Sequence, residues 1–200
     1  MLVLSSPSGA GKSTIAQTLL RDDPNLTLSV SLTTRPRRGS EVDGVHYHFV
    51  DRQHFVMQRD AGQLIEWAEV HDNLYGTPFR PVQDAMAAGQ DMLFDIDWQG
   101  AVQMFDQARG DIVSVFILPP SVEELERRLF RRAEDTPEVI AQRLENARVE
   151  MREWHRYDYV VVNDDLQKAV ENVRAILTAE RLRQQRRPGL RDFVRGLLGE

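Results

Sequence analysis

The stretch LSSPSGAGKST, residues 4–14, combines residue types and spacing that point to phosphate chemistry. Small residues and glycines before a Lys-Ser pair are typical of a loop whose backbone N–H groups bind phosphate oxygens, because bulky side chains would obstruct the anion. Lys12 would reach the outer phosphates of a nucleotide, and the Ser13 hydroxyl can ligate Mg²⁺. Ser6 stands where the usual pattern has its first glycine, and its small size makes this a mild departure.

The sequence around this loop fits the motif. MLVL predicts a short strand, and GKSTIAQTLLRD predicts a helix in which Ile15, Leu19 and Leu20 share one face. The helix would begin near Lys12 and direct its positive N-terminal end at a bound anion. Strand, loop and helix in register favour a nucleotide-phosphate site over a plain glycine turn before a helix.

A carboxylate suited to a metal follows a second apolar segment. DMLFDID reads as a buried parallel strand that ends in acids, among them Asp95. By itself this pattern is more typical of a strand that simply ends in solvated acids. Together with the phosphate loop it predicts that Asp95 holds Mg²⁺ or its waters.

A cluster of arginines could bind a second phosphate. Arg35, Arg37 and Arg38 lie close in sequence to Ser31 and Tyr47. Guanidinium groups present donors that match a phosphate dianion, and nearby hydroxyls add further donors. The alternative is a solvated basic turn, the usual explanation of a short charge run.

Short apolar segments alternate with helical patterns over most of the chain, which predicts an α/β fold, a parallel sheet flanked by helices. Segments 26–35, 112–120 and 158–164 read as further strands, the last two buried. The alternation breaks between about Ser31 and Ala88, where we expect a smaller inserted region containing the strand VHYHFV. QLIEWAEV and NLYGTPF stay ambiguous. Residues 5–13, 95–97 and 163–165 should meet at the carboxyl edge of the sheet, where ligands bind.

Composition limits the functional classes. The 200 residues carry a net charge of −6, so bulk charge does not favour a nucleic-acid binder. No apolar run approaches the roughly 20 residues of a membrane helix. MLVLSS does not resemble a signal peptide, and the absence of cysteine excludes disulfides, so we expect a cytoplasmic protein. Six arginines between Arg181 and Arg195 indicate a solvated helix extension, a partner surface or a weak polyanion contact, and we favour the first.

The chain resembles the guanylate kinase family. The matching stretches are SPSGAGKST, SVSLTTR through GVHYHF, LIEWAEVHDNLYGT, LFDIDWQG, FILPPS, EVIAQRL and YDYVVVNDD, which cover nearly the whole chain in order. The resemblance implies Mg²⁺-dependent phosphoryl transfer from ATP to GMP or dGMP. It also implies a phosphate-loop core over 1–30 and 89–200, a GMP-binding region over 31–88 and a lid over about 121–145.

The resemblance also implies roles for individual residues. For catalysis they are Lys12, Arg35, Arg132 and Arg143. For ATP they are Ser6, Pro7, Ser8, Gly9, Ala10, Gly11, Lys12, Ser13, Thr14 and Asn163. For GMP they are Ser31, Arg35, Arg38, Tyr47, Glu66, Tyr75, Gly76, Thr77 and Asp97, with Glu66 and Thr77 at the guanine. Ser13 and Asp95 would hold Mg²⁺, directly or through water.

Three departures from the family pattern bear on these roles. In RPRRGS the proline comes one place early and Ser40 replaces a glycine, so either Arg37 or Arg38 is the second phosphate ligand. Counting back from Glu41 favours Arg38. The lid arginine lacks its flanking glycines, and Thr77 stands where serine is more common, which keeps the donor.

Two other functions remain open. A guanylate-kinase-like binding module would have lost catalysis, and the intact Lys12 and Ser13 argue against it. A phosphate-loop kinase for another acceptor is the second possibility, and Glu66 and Thr77 argue against that. The sequence leaves the oligomeric state open.

Overall fold

A parallel sheet forms the centre of the molecule. The computed structural model describes residues 1–70, 72–131 and 137–199. In these residues five strands pair in the order β2-β7-β1-β8-β9, all parallel, which confirms the predicted α/β class. The strands are β1 Leu2–Ser5, β2 Leu26–Leu28, β7 Asp91–Asp95, β8 Val113–Leu118 and β9 Tyr159–Val162.

A second, smaller sheet lies within the segment where the alternation of strand and helix was expected to break. Its order is β4-β3-β6-β5, with β3 and β4 parallel and the other pairs antiparallel. The strands are β3 Leu32–Thr33, β4 His48–Phe49, β5 Leu64–Val70 and β6 Asn73–Pro78. The two segments that the sequence left ambiguous are thus both strands, β5 and β6.

Helices connect the strands and flank the parallel sheet. They are α1 Lys12–Asp22, α2 Arg52–Asp60, α3 Phe79–Ala87, α4 Trp98–Ala108, α5 Val122–Arg131, α6 Pro137–Met151, α7 Leu166–Leu182 and α8 Leu190–Leu198. Ser121 caps the N-terminus of α5, since the backbone N–H of Glu124 donates to Ser121 Oγ at 3.1 Å. No helix in these described ranges is long and apolar enough to cross a membrane.

The two faces of the parallel sheet form two apolar clusters because side chains alternate along a strand. On one face Leu2 and Leu4 pack with Ile15 of α1 and Val173 of α7. On the other face Val3 packs with residues of α3, α4 and β8, including Val82, Met104 and Phe116. The sheet is therefore covered on both sides, as a parallel sheet requires.

Two strand predictions were wrong. Segment 26–35 is not one strand: β2 belongs to the parallel sheet and β3 to the small sheet. The break at 29–31 moves the chain from one sheet to the other, which β-branched composition cannot reveal. Strand β9 is not buried, because it lies at the sheet edge, where Val160 and Val162 are 39% and 47% exposed. Helix α4 was not predicted.

Candidate active site

The phosphate loop joins β1 to α1 in a shape that only glycine adopts easily. Gly9 and Gly11 have φ angles of 91° and 97°, in the left-handed region that disfavours other residues. Any side chain at Gly11 would also collide with the Asn163 side-chain amide. The spacing of the two glycines in the sequence is thus a requirement of the backbone.

Two side chains from distant parts of the chain hold this loop in place by hydrogen bonds to its backbone. Asn163 follows β9, is 4% exposed, and donates from Nδ2 to the Ala10 carbonyl at 2.7 Å. Arg128 of α5 donates to the same carbonyl at 3.3 Å and to the Asn163 carbonyl at 3.0 Å. Sequence analysis did not single out Arg128 for this position. The loop is therefore held by β9 and α5 as well as by its own turn.

Lys12 is directed at the end of β7. Its Nζ lies 2.5 Å from Asp95 Oδ1 and donates to the Ile96 carbonyl at 2.9 Å. Asp97, two residues further on, caps α4 by accepting from the Gly100 backbone N–H at 2.9 Å. These contacts place the cation of the loop beside two carboxylates, at the predicted edge of the sheet.

Two adjoining cavities open above this edge. The loop cavity, about 300 Å³, is lined by the phosphate loop, Lys12, Glu66, Asp97 and Glu150. The arginine cavity, about 650 Å³, is lined by Arg35, Arg38, Glu41 and Arg143. The residues Ser13, Ser31, Tyr47, Tyr75 and Asp95 line both. One continuous space thus connects the loop to the arginines and to Glu66.

Arg35 is held in a bidentate ion pair. Its guanidinium donates to the two oxygens of Glu41 at 3.0 and 2.7 Å, and Glu41 also accepts from the Arg38 backbone N–H at 2.8 Å. Arg35 lowers the pKa of Glu41, which is ionised near neutral pH. A carboxylate therefore occupies the donors that the sequence assigned to a phosphate. Arg37 and Arg38 are both exposed, but Arg38 lines the arginine cavity and Arg37 is not among its lining residues.

Two tyrosines pack beside Arg35. The rings of Tyr47 and Tyr75 meet edge to face at 5.9 Å, and the Arg35 guanidinium lies 5.5 Å from the centre of the Tyr47 ring. Burial, with the nearby Asp95, raises the pKa of Tyr47 to about 12, so its hydroxyl stays protonated. It can therefore donate a hydrogen bond to an anion.

Glu66 is a buried carboxylate with a raised pKa. It lies on β5, is 3% exposed, and Oε1 accepts from the Thr77 hydroxyl at 2.6 Å. Ser31 Oγ lies 3.0 Å from the same hydroxyl. Burial raises the pKa of Glu66 to about 7, and the hydrogen bond from Thr77 opposes that rise. Near neutral pH this group can be either an acid or an acceptor.

Gly100 on α4 makes room for Glu66. A side chain at Gly100 would collide with Glu66 Oε2. Because Asp97 caps the helix through the Gly100 N–H, the same turn of α4 fixes both the cap and the space for the carboxylate. Sequence analysis missed this glycine because it did not predict the helix.

Some predicted site residues point elsewhere or fall outside the description. Thr14 is exposed on the first turn of α1, and its carbonyl accepts from the Thr18 hydroxyl. A side chain at Gly76 would point at Leu64 and Phe55, away from the face that carries Tyr75 and Thr77. Arg132 lies outside the described residues.

A metal site made by the protein alone is not found in the described ranges, where no three His, Asp or Glu side chains cluster suitably. Ser13 and Asp95 do line the same cavity, where Asp95 Oδ1 is ion-paired with Lys12. Mg²⁺ is commonly held by one or two protein oxygens together with waters and substrate phosphates. The oxygens of Ser13 and Asp95 fit that kind of site.

Comparison with known proteins identifies the family of the chain. The model of the guanylate kinase family matches residues 1–180. Curated guanylate kinases of Chelativorans sp. strain BNC1 and Agrobacterium fabrum strain C58 are 66% and 62% identical over all of this chain, which spans 92% and 91% of theirs. The crystal structure of guanylate kinase from Anaplasma phagocytophilum is 40% identical, with a TM-score of 0.82 over 98% of this chain and 93% of that one. The chain belongs to the guanylate kinase family.

Proposed function

We propose that the chain transfers the terminal phosphoryl group of ATP to GMP, or to dGMP, giving ADP and GDP or dGDP. The observation that carries this is the continuous space between the phosphate loop and Glu66, which is lined in between by Arg35, Arg38 and two tyrosines. It offers one site for a polyphosphate and, beside it, one for a nucleoside monophosphate. Since ATP and GMP are nucleotides of the cell interior, we assign the reaction to the cytoplasm.

ATP binds through the loop from Ser6 to Ser13 in this proposal. The inward N–H groups and the start of α1 bind the phosphates. When ATP binds, the ion pair between Lys12 and Asp95 weakens and Lys12 donates hydrogen bonds to the outer phosphates. Asn163 acts on ATP through the loop, because its amide is committed to the Ala10 carbonyl.

The phosphate of GMP binds at the other end of the space. Arg35, Arg38, Tyr47 and Tyr75 are its donors, and Arg35 exchanges Glu41 for the phosphate. A phosphate monoester is already an ionised nucleophile, so the reaction needs alignment and charge neutralisation and no general base. Lys12, Arg143 and Arg132 neutralise the charge of the transferring group.

Guanine binds at Glu66. Its N1–H and exocyclic amine are adjacent donors, which a carboxylate accepts together, and the Thr77 hydroxyl can donate to its O6 once it releases Glu66 Oε1. Adenine presents an acceptor at N1 and an amine in place of O6, so the buried Glu66 would lose both donors that guanine supplies and would face an acceptor instead. That loss makes discrimination of several kcal/mol, on the order of 10³-fold or more, reasonable.

Mg²⁺ completes the site when ATP is bound. Ser13 and Asp95 would hold it, directly or through water, and it would supply positive charge on the transferring phosphates. Asp95 also keeps Lys12 in place before ATP arrives. Lid closure by α5 and α6 would exclude water from the transfer.

Both alternative functions predict different chemistry. A non-catalytic binding module has no use for Lys12, which is directed into the loop cavity beside Asp95. A kinase for another acceptor has no use for a buried Glu66 bonded to Thr77. We therefore favour GMP phosphorylation over both.

The deciding experiment compares acceptors side by side. ADP formation from ATP is measured with GMP, dGMP, AMP and UMP, with and without Mg²⁺. We expect turnover with GMP and dGMP that requires Mg²⁺, and rates with AMP and UMP lower by at least about 10³-fold. Equal rates with GMP and AMP would contradict the guanine site, and no turnover with any acceptor would contradict the kinase.

A further inference from the structure

Glu150, on α6, contacts the phosphate loop in a way that the roles above leave unused. Its Oε2 accepts a hydrogen bond from the Ser8 backbone N–H at 3.2 Å, which joins two points 142 positions apart in the chain. The side chain lines the loop cavity with Lys12 and Asp97. A carboxylate is therefore held inside a site whose substrates are themselves anions.

The position of this carboxylate is costly. Burial raises the pKa of Glu150, and the negative charge of Asp97 adds to the rise, while Lys12 and the Ser8 N–H oppose it. Glu145, on the same helix, instead pairs with Arg148 at the surface, where both side chains are about 60% exposed. A surface acid such as Glu145 keeps the helix soluble, but an acid inside the cavity does not serve that purpose. Its position therefore suggests a functional role.

The spacing along α6 links Glu150 to the transfer site. Glu150 and Arg143 are seven residues apart, so they lie on one face of the helix about two turns, roughly 10 Å, from each other. Arg143 lines the arginine cavity beside Ser13 and Asp95. The same face of α6 thus presents a cation to the transfer site and a carboxylate to the loop.

Apolar packing alone does not fix how α6 faces the loop. The helix packs on α5 through a small cluster of Leu125, Leu129, Ile140 and Ala147. Such contacts are non-directional, and this cluster includes no residue of the phosphate loop. The hydrogen bond from the Ser8 N–H to Glu150 is directional, and it joins α6 to the phosphate loop directly.

We propose that Glu150 is a positioning residue, which fixes α6 against the phosphate loop and so holds Arg143 over the transferring phosphoryl group. The inference rests on the proposed function, in which Arg143 neutralises that group. Glu150 would then act on the rate through Arg143 and not by touching either nucleotide.

The test is a double-mutant cycle on the full chain, with ATP, GMP and Mg²⁺. Glu150→Ala should lower kcat about tenfold with the KM for GMP within about twofold, and Arg143→Ala should lower kcat about a hundredfold. In the Arg143→Ala background, Glu150→Ala should lower kcat by less than about a further twofold, because the arginine through which Glu150 acts is already absent. Glu150→Gln keeps an acceptor for Ser8 and should recover most of kcat. Glu145→Ala is the matched control and should leave kcat unchanged.

Other outcomes would overturn the proposal. If the fold-reductions in kcat of the two single variants multiply in the double variant, Glu150 does not act through Arg143. A lower KM for ATP in both Glu150 variants, with kcat retained, would mean that Glu150 competes with ATP for the loop. If Glu150→Ala does not fold, Glu150→Asp shortens the reach by one methylene and serves in the same cycle. A wild type inactive with GMP would contradict the proposed function instead.

Discussion

At the scale of single residues, Glu66 carries conflicting demands. Burial in β5 favours its neutral form, while recognition of guanine requires a carboxylate that accepts two hydrogen bonds. Its pKa of about 7 places both forms within the physiological range. The free protein therefore bears a cost in stability that GMP relieves by supplying partners.

This conflict gives the first prediction, for Glu66→Gln. A carboxyl group whose pKa is raised on folding destabilises the protein progressively as pH rises from its ordinary value of 4.5 through about 7. The variant should therefore melt at a higher temperature than the wild type at pH 8, and the gap should close near pH 5. Its kcat/KM for GMP should fall at least about tenfold at pH 8, because an amide places a donor against a donor.

Thermal melts across pH, with GMP titrations of the wild type, check this prediction. Wild-type GMP affinity should weaken as pH falls below 7, since binding requires the ionised form. A pH-independent affinity, or a variant with unchanged kcat/KM, would place Glu66 outside the guanine site.

The second prediction concerns Lys12→Met. Loss of the cation should lower kcat by about 10²–10³-fold, as expected when a group that stabilises the transition state is removed. GMP affinity, measured by calorimetry, should change less than about twofold. Lys168→Met is the matched control, because Lys168 is the only other lysine and is exposed on α7. Near-normal turnover of a folded Lys12→Met would contradict the role of the loop in catalysis.

At the scale of elements, the site depends on the segments that join strands and helices more than on the long helices. The loop between β3 and β4 carries Arg35, Arg38 and Glu41, and the turn that begins α4 carries Asp97 and Gly100. Glu41 holds the Arg35 side chain and the Arg38 backbone together, so it sets the shape of the first of these connections. Each connection places polar groups that no strand or helix could place by itself.

The third prediction separates the two candidate arginines of that loop. Arg38→Ala should weaken GMP binding by about 1.5–3 kcal/mol, the range for a hydrogen bond to a charged group, or roughly ten- to a hundredfold. Arg37→Ala should change it less than about twofold, because Arg37 does not line the arginine cavity. GMP titration of both variants measures the two affinities. A larger loss of affinity in Arg37→Ala would make Arg37, and not Arg38, the second phosphate ligand.

The fourth prediction concerns Gly100→Ala at the start of α4. The added methyl group would collide with Glu66 Oε2 and displace the carboxylate. Overpacking of this kind costs about 1–3 kcal/mol, so the KM for GMP should rise roughly tenfold or more, while the KM for ATP changes little. Gly110→Ala is the matched control, because nothing lies within 4 Å of the added atom there. Unchanged kinetics at Gly100 would mean that Glu66 need not be held in place.

At the scale of the whole molecule, the parallel sheet gathers groups that are far apart in sequence. Ala10 and Asn163 meet across 153 positions, and Lys12 meets Ile96 across 84, because all of them follow strands whose carboxyl ends lie at the same edge of the parallel sheet. The C-terminal segment is attached differently. Arg186 bonds Glu180 and the Ile112 carbonyl, but α8 beyond it has no buried residue, and Phe193 and Leu197 are 64% and 71% exposed.

The fifth prediction is that the chain tolerates removal of α8. Truncation after Arg187 keeps the contacts of Arg186 and removes a helix that buries nothing in the described structure. The melting temperature should change by no more than about 2 °C and kcat by less than about twofold. Arg186→Ala in the full chain should lower the melting temperature more than the truncation does. A large loss on truncation, seen by calorimetry, would show that α8 has a structural partner.

The sequence by itself determined the class of fold, the phosphate loop and the family. Glycine spacing, alternating strands and helices, and the acids after β7 are local patterns, and local patterns fix backbone shape and the side of a sheet on which an element ends. The resemblance to the family pointed to Glu66 and Thr77, which the tertiary structure joins by a hydrogen bond of 2.6 Å.

Only the tertiary structure decided which groups meet across the chain. The split of segment 26–35 between two sheets, the exposed edge of β9, the brace from Arg128 and the contact of Glu150 with Ser8 depend on packing between distant segments. The pairing of Arg35 with Glu41 and the pKa of Glu66 depend on burial and on neighbouring charges. The sequence does not show whether a charged side chain will be solvated or buried. Its free energy, and so its role, is set by the dielectric and the partners that the fold supplies.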